Sequence, residues 1–189
     1  LIALAEIDAG DVILAEDPFE LESLICGAVA AARPAADEKG LALTHALDPN
    51  APEWLIGDAA RLKKVIGHFL ANAVKFTPQG AVTLAAQALP GQDAATALLE
   101  ITVTDTGPGI APELAPRLFQ RFSLADDSAR KAHGGSGLGL AISRELAALM
   151  GGEVGVESPE AGGARFWLRV PLPVDGAADT PTEAFEARP

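Results

Sequence analysis

The chain is poor in the residue types that mark secreted, membrane-spanning and aromatic-rich proteins. It has one cysteine, Cys26, one methionine, no tyrosine and only 5% aromatic residues among its 189. A single cysteine cannot form an internal disulfide, so we expect a reducing compartment. The sequence has no signal peptide and no apolar run of the roughly 20 residues that a membrane-spanning helix needs. The first residue is Leu1 rather than methionine, so we expect a piece of a longer protein. We expect this domain to be cytoplasmic and the full protein to be either soluble or attached to a membrane.

Basic residues are also scarce. Lysine and arginine together number 14, against 26 aspartates and glutamates, which gives a formal net charge of -12. Sequence-independent binding of nucleic acid needs a basic face that displaces counterions, so no nucleic-acid partner is expected. A local cationic pocket for one nucleotide is compatible with this charge. Hydrophobic residues make up 49% of the chain, which is enough for one domain with a full core.

Hydrophobic periodicity predicts a mixture of helices and strands. Helices are predicted over residues 1–10 (the last turns only), 19–32 with a continuation past Pro34 to Gly40, 59–76, 112–119 and 137–150. Strands are predicted over residues 41–47, 81–89, 97–105, 153–157 and 164–171. Residues 123–136 have no apolar period and the length of a functional lid, whereas the Pro-, Ala- and acid-rich residues 173–189 predict a disordered linker.

One polar residue interrupts the apolar face of the helix predicted over 59–76. Asn72 lies three residues after Phe69 and four before Phe76, so it shares their side of the helix. A polar amide on that side needs a partner. Its oxygen suits hard Mg²⁺, which prefers oxygen ligands completed by waters and phosphates. A hydrogen bond to backbone is the alternative.

A carboxylate ends the strand predicted over 97–105. Asp105 continues the row of Leu99, Ile101 and Val103 on one strand face. A carboxylate in such a row is costly unless a bound group satisfies it. It can accept a hydrogen bond from an exocyclic amine, which would select adenine over guanine. An Asx-turn with the glycines that follow is the alternative.

A glycine-rich turn opens the last predicted helix. Four glycines flank a single serine within the segment Gly134–Gly139. Free backbone N–H groups at a helix N-terminus form a natural phosphate site, and glycines allow close approach of the backbone. A simple helix cap is the alternative.

Several charged or titratable side chains are candidates for the surroundings of the phosphates. The cationic candidates are Lys75, Arg130, Lys131 and His133, for each of which a solvated surface role is the alternative. His68 shares a helix face with Asn72, one turn earlier, and is a further candidate contact. A packed histidine is the alternative there.

Four short segments occur in an order that resembles one family. The segment NAVKFT, which ends at Thr77, resembles the N box, and DTGPGI, which begins at Asp105, resembles the first glycine box. LFQRF over residues 118–122 resembles the F box, and GGSGLGLAIS from Gly134 resembles the second glycine box. Together they resemble the catalytic and ATP-binding domain of bacterial sensor histidine kinases, in the superfamily that includes gyrase, MutL and the ninety-kilodalton heat-shock chaperones.

The resemblance implies a domain layout and a fold. It implies the end of a dimerisation helix and its linker over residues 1–16, the ATP-binding catalytic domain over 17–172, and a linker over 173–189. The implied fold is α/β, a two-layer sandwich of the Bergerat type with a mixed, mostly antiparallel sheet and three helices on one face.

The resemblance also implies roles for individual residues, with ATP and Mg²⁺ as cofactors. It makes Asn72 the Mg²⁺ ligand, Asp105 the contact to adenine, and Lys75 and His68 further catalytic candidates. The implied nucleotide contacts are Asn72, Lys75, Asp105, Gly107, Gly109, Ile110, Phe122, Arg130, Gly135, Ser136, Gly137, Leu138 and Gly139. Phe119 and Phe122 would anchor the lid, with a place in the core as the alternative.

Two departures from the family pattern refine the expected function. The phosphoacceptor box is absent, because none of His45, His68 and His133 has its sequence context. His68 stands where many kinases carry another Asn and where hydrolytic relatives carry a Glu base, so efficient ATP hydrolysis is not expected.

The function implied is therefore that of a histidine kinase domain. It would transfer the γ-phosphate of Mg-ATP to a histidine on a separate dimerisation domain, with a response-regulator receiver domain, in the same polypeptide or another, as a further partner. The alternatives are a non-catalytic nucleotide-sensing or partner-binding module and a hydrolytic ATPase of the same superfamily.

Overall fold

The computed structural model of the protein describes residues 13–93, 95–120, 138–159 and 162–175. The strands in these ranges are β1 (Asp17–Glu20), β2 (Ala42–Leu47), β3 (Trp54–Gly57), β4 (Ala81–Asp93), β5 (Thr96–Asp105), β6 (Glu153–Glu157) and β7 (Arg165–Pro173). The helices are α1 (Leu21–Glu38), α2 (Ala59–Phe76) and α3 (Gly139–Leu149), with a 3-10 turn over Ala115–Arg117. The predicted helix end over 1–10, the predicted lid and most of the predicted C-terminal linker lie outside the described residues.

Five strands form one mixed sheet in the order β2-β4-β5-β7-β6. The β2–β4 pair is parallel, and the other three neighbouring pairs are antiparallel. The helix α2 packs between α1 and α3, and the three helices share one core with the sheet. The expected two-layer α/β sandwich with a mostly antiparallel sheet is confirmed. None of the helices within the described ranges is both long and apolar enough to cross a bilayer.

The helix α2 has the predicted bounds. Asp58 precedes it and accepts a hydrogen bond from the backbone N–H of Arg61 at 2.9 Å, which caps the helix N-terminus. The buried face then follows the helical repeat, with Leu62, Ile66 and Phe69 fully buried. This buried stripe fixes the orientation of α2 about its own axis on the sheet, and therefore which of its residues face the site.

The start of the first helix was wrongly predicted. The sequence favoured a helix from residue 19, but Asp17–Glu20 forms β1, which pairs antiparallel with the unpredicted strand β3. The helix α1 begins at Leu21, whose backbone N–H bonds to Glu53 O at 2.9 Å. A pairing with residues more than thirty positions away overrides the local helix signal, and that partner is invisible to periodicity.

Other boundaries differ in smaller ways. The helix α1 continues through Pro34 to Glu38, as the sequence favoured, and Gly40 follows it with φ of 67°. The predicted helix over 112–119 is only the 3-10 turn, which contains Pro116 and buries no residue. The helix α3 is described from Gly139 rather than from residue 137, and it ends before Gly151, whose φ is 72°.

Candidate functional site

A cavity of about 470 Å³ opens beside one face of α2 and the C-terminal end of β5. Most of its lining is apolar, including Ile110, Leu114, Leu118, Leu140 and Phe166. Its polar and charged lining residues are His68, Asn72, Lys75 and Asp105. An apolar cavity of this size with a few convergent polar groups is typical of a small-molecule site.

One wall of the cavity comes from successive turns of α2. His68, Asn72 and Lys75 follow one another at spacings of four and three residues, and all three line the cavity. The side chain of Asn72 is half-buried and forms no hydrogen bond with another part of the described chain. A hydrogen bond from Asn72 to backbone is thus not seen among the described residues, and the Asn72 side chain lines the cavity.

The C-terminal end of α2 also supplies an aromatic side chain. Phe76, expected in the buried stripe, is instead 46% exposed and lines the cavity. The ammonium group of Lys75 lies 4.9 Å from the centroid of the Phe76 ring, within the range of a cation–π contact. These two residues form the rim of the cavity on this side.

The carboxylate of Asp105 lies at the end of β5, only 6% exposed. Its Oδ1 accepts hydrogen bonds from the backbone N–H groups of Gly107 at 2.8 Å and Ala164 at 3.3 Å. The first bond is the Asx-turn that the sequence left open as an alternative. It engages Oδ1 only, so Oδ2 remains available to a molecule in the cavity that Asp105 lines.

Glycines after Asp105 allow the backbone to approach the carboxylate closely. A Cβ at Gly107 would lie 2.9 Å from Asp105 Oδ1, and Gly109 has a φ of 79°. Gly109 and Ile110 line the cavity, whereas Gly107 is not among its lining residues. The Ile110 backbone is held by Ser158, whose Oγ accepts from Ile110 N at 2.8 Å and donates to Ile110 O at 3.1 Å.

His68 is linked to α3 through a buried serine. Its Nδ1 lies 3.0 Å from Ser143 Oγ, and that hydroxyl donates to Gly139 O at 2.9 Å. Burial lowers the pKa of His68, the nearby Lys64 lowers it further, and the Gly139 carbonyl opposes both. The imidazole is therefore neutral at physiological pH.

The phosphate-cradle candidates are only partly described. Gly139 lines the cavity, while the side chain of Leu138 is buried in the core. Phe119 is also in the core, with its ring 6.4 Å from Phe166 in an edge-on arrangement. The remaining candidates lie outside the described residues: Phe122, Arg130, Lys131, His133, Gly135, Ser136 and Gly137.

Sequence reasoning missed three supports of the site. Ser143, Ser158 and Ala164 hold His68, Ile110 and Asp105, respectively, through hydrogen bonds. Each contact joins residues at least 48 positions apart, so no local pattern shows it. One available signal was a serine on the buried face of the last predicted helix, among Ala141, Ile142 and Leu146.

The donor set of the cavity suits a cation only together with a ligand's own oxygens. Across the part of the chain that the structure describes, no group of three or more His, Cys, Asp or Glu side chains could hold a metal ion. Asn72 offers one neutral oxygen to the cavity. Mg²⁺ is commonly held by one or two protein oxygens together with substrate phosphates. The single oxygen of Asn72 suits such an ion better than it suits a metal whose ligands all come from the protein.

Comparison with known families defines the class of this fold and site. Residues 57–174 match the family described as "Histidine kinase-, DNA gyrase B-, and HSP90-like ATPase". The match covers more than half of the 189 residues. The chain belongs to this family, which confirms the resemblance seen in its motifs.

Two curated relatives of this chain are sensor histidine kinases. The sensor histidine kinase GacS of Pseudomonas protegens is 37% identical over 183 residues, covering 96% of this chain and 20% of GacS. The signal transduction histidine-protein kinase BarA of Escherichia coli K12 is 34% identical over 172 residues, covering 91% of this chain and 19% of BarA. The chain thus spans about a fifth of the length of these relatives.

A solved structure shows the same fold. The crystal structure of full-length ShkA in complex with AMPPNP superposes with a TM-score of 0.80 at 35% sequence identity. The alignment covers 92% of this chain and 35% of ShkA.

Proposed function

We propose that this chain is the ATP-binding catalytic domain of a two-component histidine kinase. The observation that carries the proposal is the placement of Asp105 and Asn72 in one apolar cavity. Among the described residues, Asp105 Oδ2 and the Asn72 amide form no hydrogen bond. The named sensor kinases among the relatives and the AMPPNP complex of ShkA support it. ATP is the proposed ligand, and the working compartment proposed is the cytoplasm.

The adenine ring would occupy the apolar part of the cavity against Asp105. With Oδ1 fixed by Gly107 and Ala164, Oδ2 is an acceptor that the exocyclic amine of adenine can satisfy. Guanine presents a carbonyl oxygen at that position, which would face the carboxylate without a proton between them. The proposed site therefore selects ATP over GTP.

The phosphates would lie towards α2 and the start of α3. Asn72 would hold Mg²⁺ together with the phosphates, and the ion would supply neutralisation of charge on the γ-phosphate. Lys75 and His68 line the same wall, and Gly107, Gly109, Ile110 and Gly139 belong to the proposed nucleotide contacts. From the segments outside the described residues, Phe122, Arg130, Gly135, Ser136 and Gly137 are proposed on the motif resemblance alone.

Phosphoryl transfer, rather than hydrolysis, is the reaction that this wall favours. The residue one turn before Asn72 is a neutral imidazole and not the carboxylate that would activate water. The chain's contribution is to orient the nucleotide and to present its γ-phosphate to an acceptor. We propose that this acceptor is a histidine on the dimerisation domain of the same kinase, and that a receiver domain takes the phosphoryl group next.

The domain boundaries are part of the proposal. Residues 17–172 would form the catalytic domain, residues 1–16 would connect it to the dimerisation helices, and residues 173–189 would connect it onwards. The pairing of β1 with β3 supports a domain that begins near residue 17. Pro173 still belongs to β7 and Val174 pairs with Leu55 of β3, so the connecting segment would begin a few residues later than 173.

Titration calorimetry on this chain tests the nucleotide assignment. We expect ATP to bind with Mg²⁺ present and GTP to bind at least tenfold more weakly, which corresponds to about 1.4 kcal/mol. Equal affinities for the two nucleotides would remove the adenine assignment to Asp105. Binding of neither nucleotide would remove the proposed function.

A further inference from the structure

We propose that Ser143 is a positioning residue that holds His68 in the Nδ1–H tautomer and thereby presents Nε2 to the nucleotide cavity as a hydrogen-bond acceptor. The identity of the ligand that uses this acceptor rests on the proposed function, whereas the tautomer does not.

Ser143 links α3 to His68 of α2. Ser143 lies on the second turn of α3 and is fully buried. Its Oγ is 2.9 Å from Gly139 O and 3.0 Å from His68 Nδ1. Both distances are within the range of direct hydrogen bonds. The hydroxyl of Ser143 therefore bridges a main-chain carbonyl and the imidazole. Ser143 and His68 are 75 residues apart in sequence.

The number of available protons decides the tautomer of His68. A serine hydroxyl has one proton to donate, and a carbonyl oxygen can only accept. When the proton of Ser143 points to Gly139 O, His68 Nδ1 must carry a proton of its own to bond to Oγ. The reverse arrangement would direct the proton to Nδ1 and leave two oxygens 2.9 Å apart with no proton between them. The Nδ1–H tautomer satisfies all three groups.

Nε2, the other ring nitrogen of His68, is not part of this link. Among the described residues, the one buried side-chain nitrogen or oxygen without a partner is Thr77 Oγ1. Nε2 of His68 forms no hydrogen bond within the described ranges, and it is not among the buried atoms without a partner there, so the described part of the chain leaves it accessible. Because His68 lines the cavity, the lone pair of Nε2 is open to the cavity's contents. The neutral state of the ring follows from its burial and from Lys64.

The start of α3 is shaped to hold this arrangement. A Cβ at Gly139 would lie 3.4 Å from both Cγ and Cδ2 of His68. The imidazole thus packs closely on the backbone at the point where α3 begins. Ser143 and Gly139 together fix the position of the ring and the direction in which Nε2 points.

The tautomer of His68 determines which ligand groups its Nε2 can bind. An unprotonated Nε2 cannot donate to a phosphate oxygen, but it can accept from a water or interact with a cation held beside Asn72, one turn further along α2. The opposite tautomer would present N–H and would contact phosphate directly. We therefore expect the Ser143 hydroxyl to support the metal-dependent part of nucleotide binding and not the metal-free part.

Nitrogen NMR of this chain labelled at histidine tests the tautomer directly, without nucleotide. The signals of His68 are identified by their loss in His68→Gln. We expect Nδ1 protonated and Nε2 unprotonated in the wild type, a mixture of tautomers in Ser143→Ala, and recovery of the wild-type pattern in Ser143→Thr, which keeps the hydroxyl. A protonated Nε2 in the wild type would overturn the proposal.

Calorimetry of the same proteins tests the consequence. In Ser143→Ala we expect Mg²⁺-dependent ADP binding to weaken on the order of tenfold, as is usual when a residue behind a metal-facing side chain is lost. Binding in the presence of a chelator should change by less than about twofold, since the base contacts are untouched. Equal losses with and without Mg²⁺, or no loss, would overturn the proposal. Absence of nucleotide binding in the wild type would instead overturn the proposed function, while the NMR result would still decide the role of Ser143.

Discussion

Ala164 and Asp105 hold each other through two hydrogen bonds, across 59 residues of sequence. The backbone N–H of Asp105 donates to Ala164 O at 2.9 Å, and the backbone N–H of Ala164 donates to Asp105 Oδ1 at 3.3 Å. The end of β5 and the residue before β7 are thereby fixed against each other. The carboxylate that would contact the base thus owes its orientation to a turn that is remote in sequence.

That turn tolerates only glycine before Ala164, and this gives a first prediction. Gly163 has a φ of 80°, and a Cβ there would lie 1.9 Å from Asp105 O. Gly163→Ala should lower the free energy of unfolding by about 1–3 kcal/mol, the usual cost of such strain, and should weaken ATP binding. Urea unfolding and calorimetry measure the two effects.

A second glycine serves as the matched control. Gly67 lies within α2, where an added Cβ meets no atom within 4 Å. Gly67→Ala should stabilise the protein by about 0.5–1 kcal/mol and leave ATP affinity unchanged, because alanine favours helix. If Gly163→Ala behaved like Gly67→Ala, the turn would have no part in holding Asp105.

A second prediction concerns Asp105 itself. Asp105→Asn replaces an acceptor-only oxygen with a group that can also donate, so the bond to the adenine amine is lost or mismatched. We expect ATP binding to weaken by about 1–3 kcal/mol and discrimination against GTP to shrink. The exposed Asp37→Asn, which removes the same charge, is the control. A loss of affinity that is equal in the two variants would point to net charge rather than to a base contact.

A third prediction concerns stability in acid. Burial by itself raises the pKa of Asp58, but hydrogen bonds from Arg61 and from Ala15 outweigh it and leave the pKa below its ordinary value. The ionised carboxylate therefore stabilises the fold above the unfolded-state pKa of about 3.9, and this contribution disappears as the pH falls through the lower native pKa. The Asp58 contribution should thus be present at neutral pH and lost in strong acid.

The variant Asp58→Asn isolates this effect. Asparagine still caps a helix. It carries no charge, so we expect the variant to be less stable than the wild type by roughly 0.3–1 kcal/mol at neutral pH, the usual contribution of a negative charge at a helix N-terminus. The difference should narrow below about pH 4, where the wild-type carboxylate becomes protonated. Urea unfolding at several pH values measures it. A difference that stays constant into acid would mean that the charge of Asp58 adds nothing to the cap.

The sequence predicts elements best where one local signal agrees with the next. For α2, the cap at Asp58 and the stripe from Leu62 to Phe69 gave correct bounds, since both signals act within the helix itself. For β1, the deciding contact is with β3, and no local pattern contains it. Short strands whose stability comes from a distant partner are therefore the elements that local sequence patterns predict least well.

The candidate site divides in the same way. Asn72, Lys75, His68 and Asp105 carry a local signature and do meet at one cavity. Ser143 and Ala164 carry none, because their function lies in a bond to a residue on another element. The burial of Glu100 could not be predicted either, because its ion-pair partners, Arg165 and Arg169, lie on the separate strand β7.

The measurement that tests the proposed function most directly is phosphoryl transfer from labelled ATP to a dimerisation domain supplied as a separate protein. We expect this chain with Mg²⁺ to label a histidine of that domain slowly, because the high effective concentration of a tethered partner is lost. We expect Asn72→Ala to lose the transfer while retaining a wild-type circular-dichroism melt, and the chain alone to acquire no stable label. A stable phosphohistidine on His45, His68 or His133 of this chain alone, or release of phosphate at a rate unaffected by the added domain, would contradict the assignment of a kinase domain that acts on a histidine elsewhere.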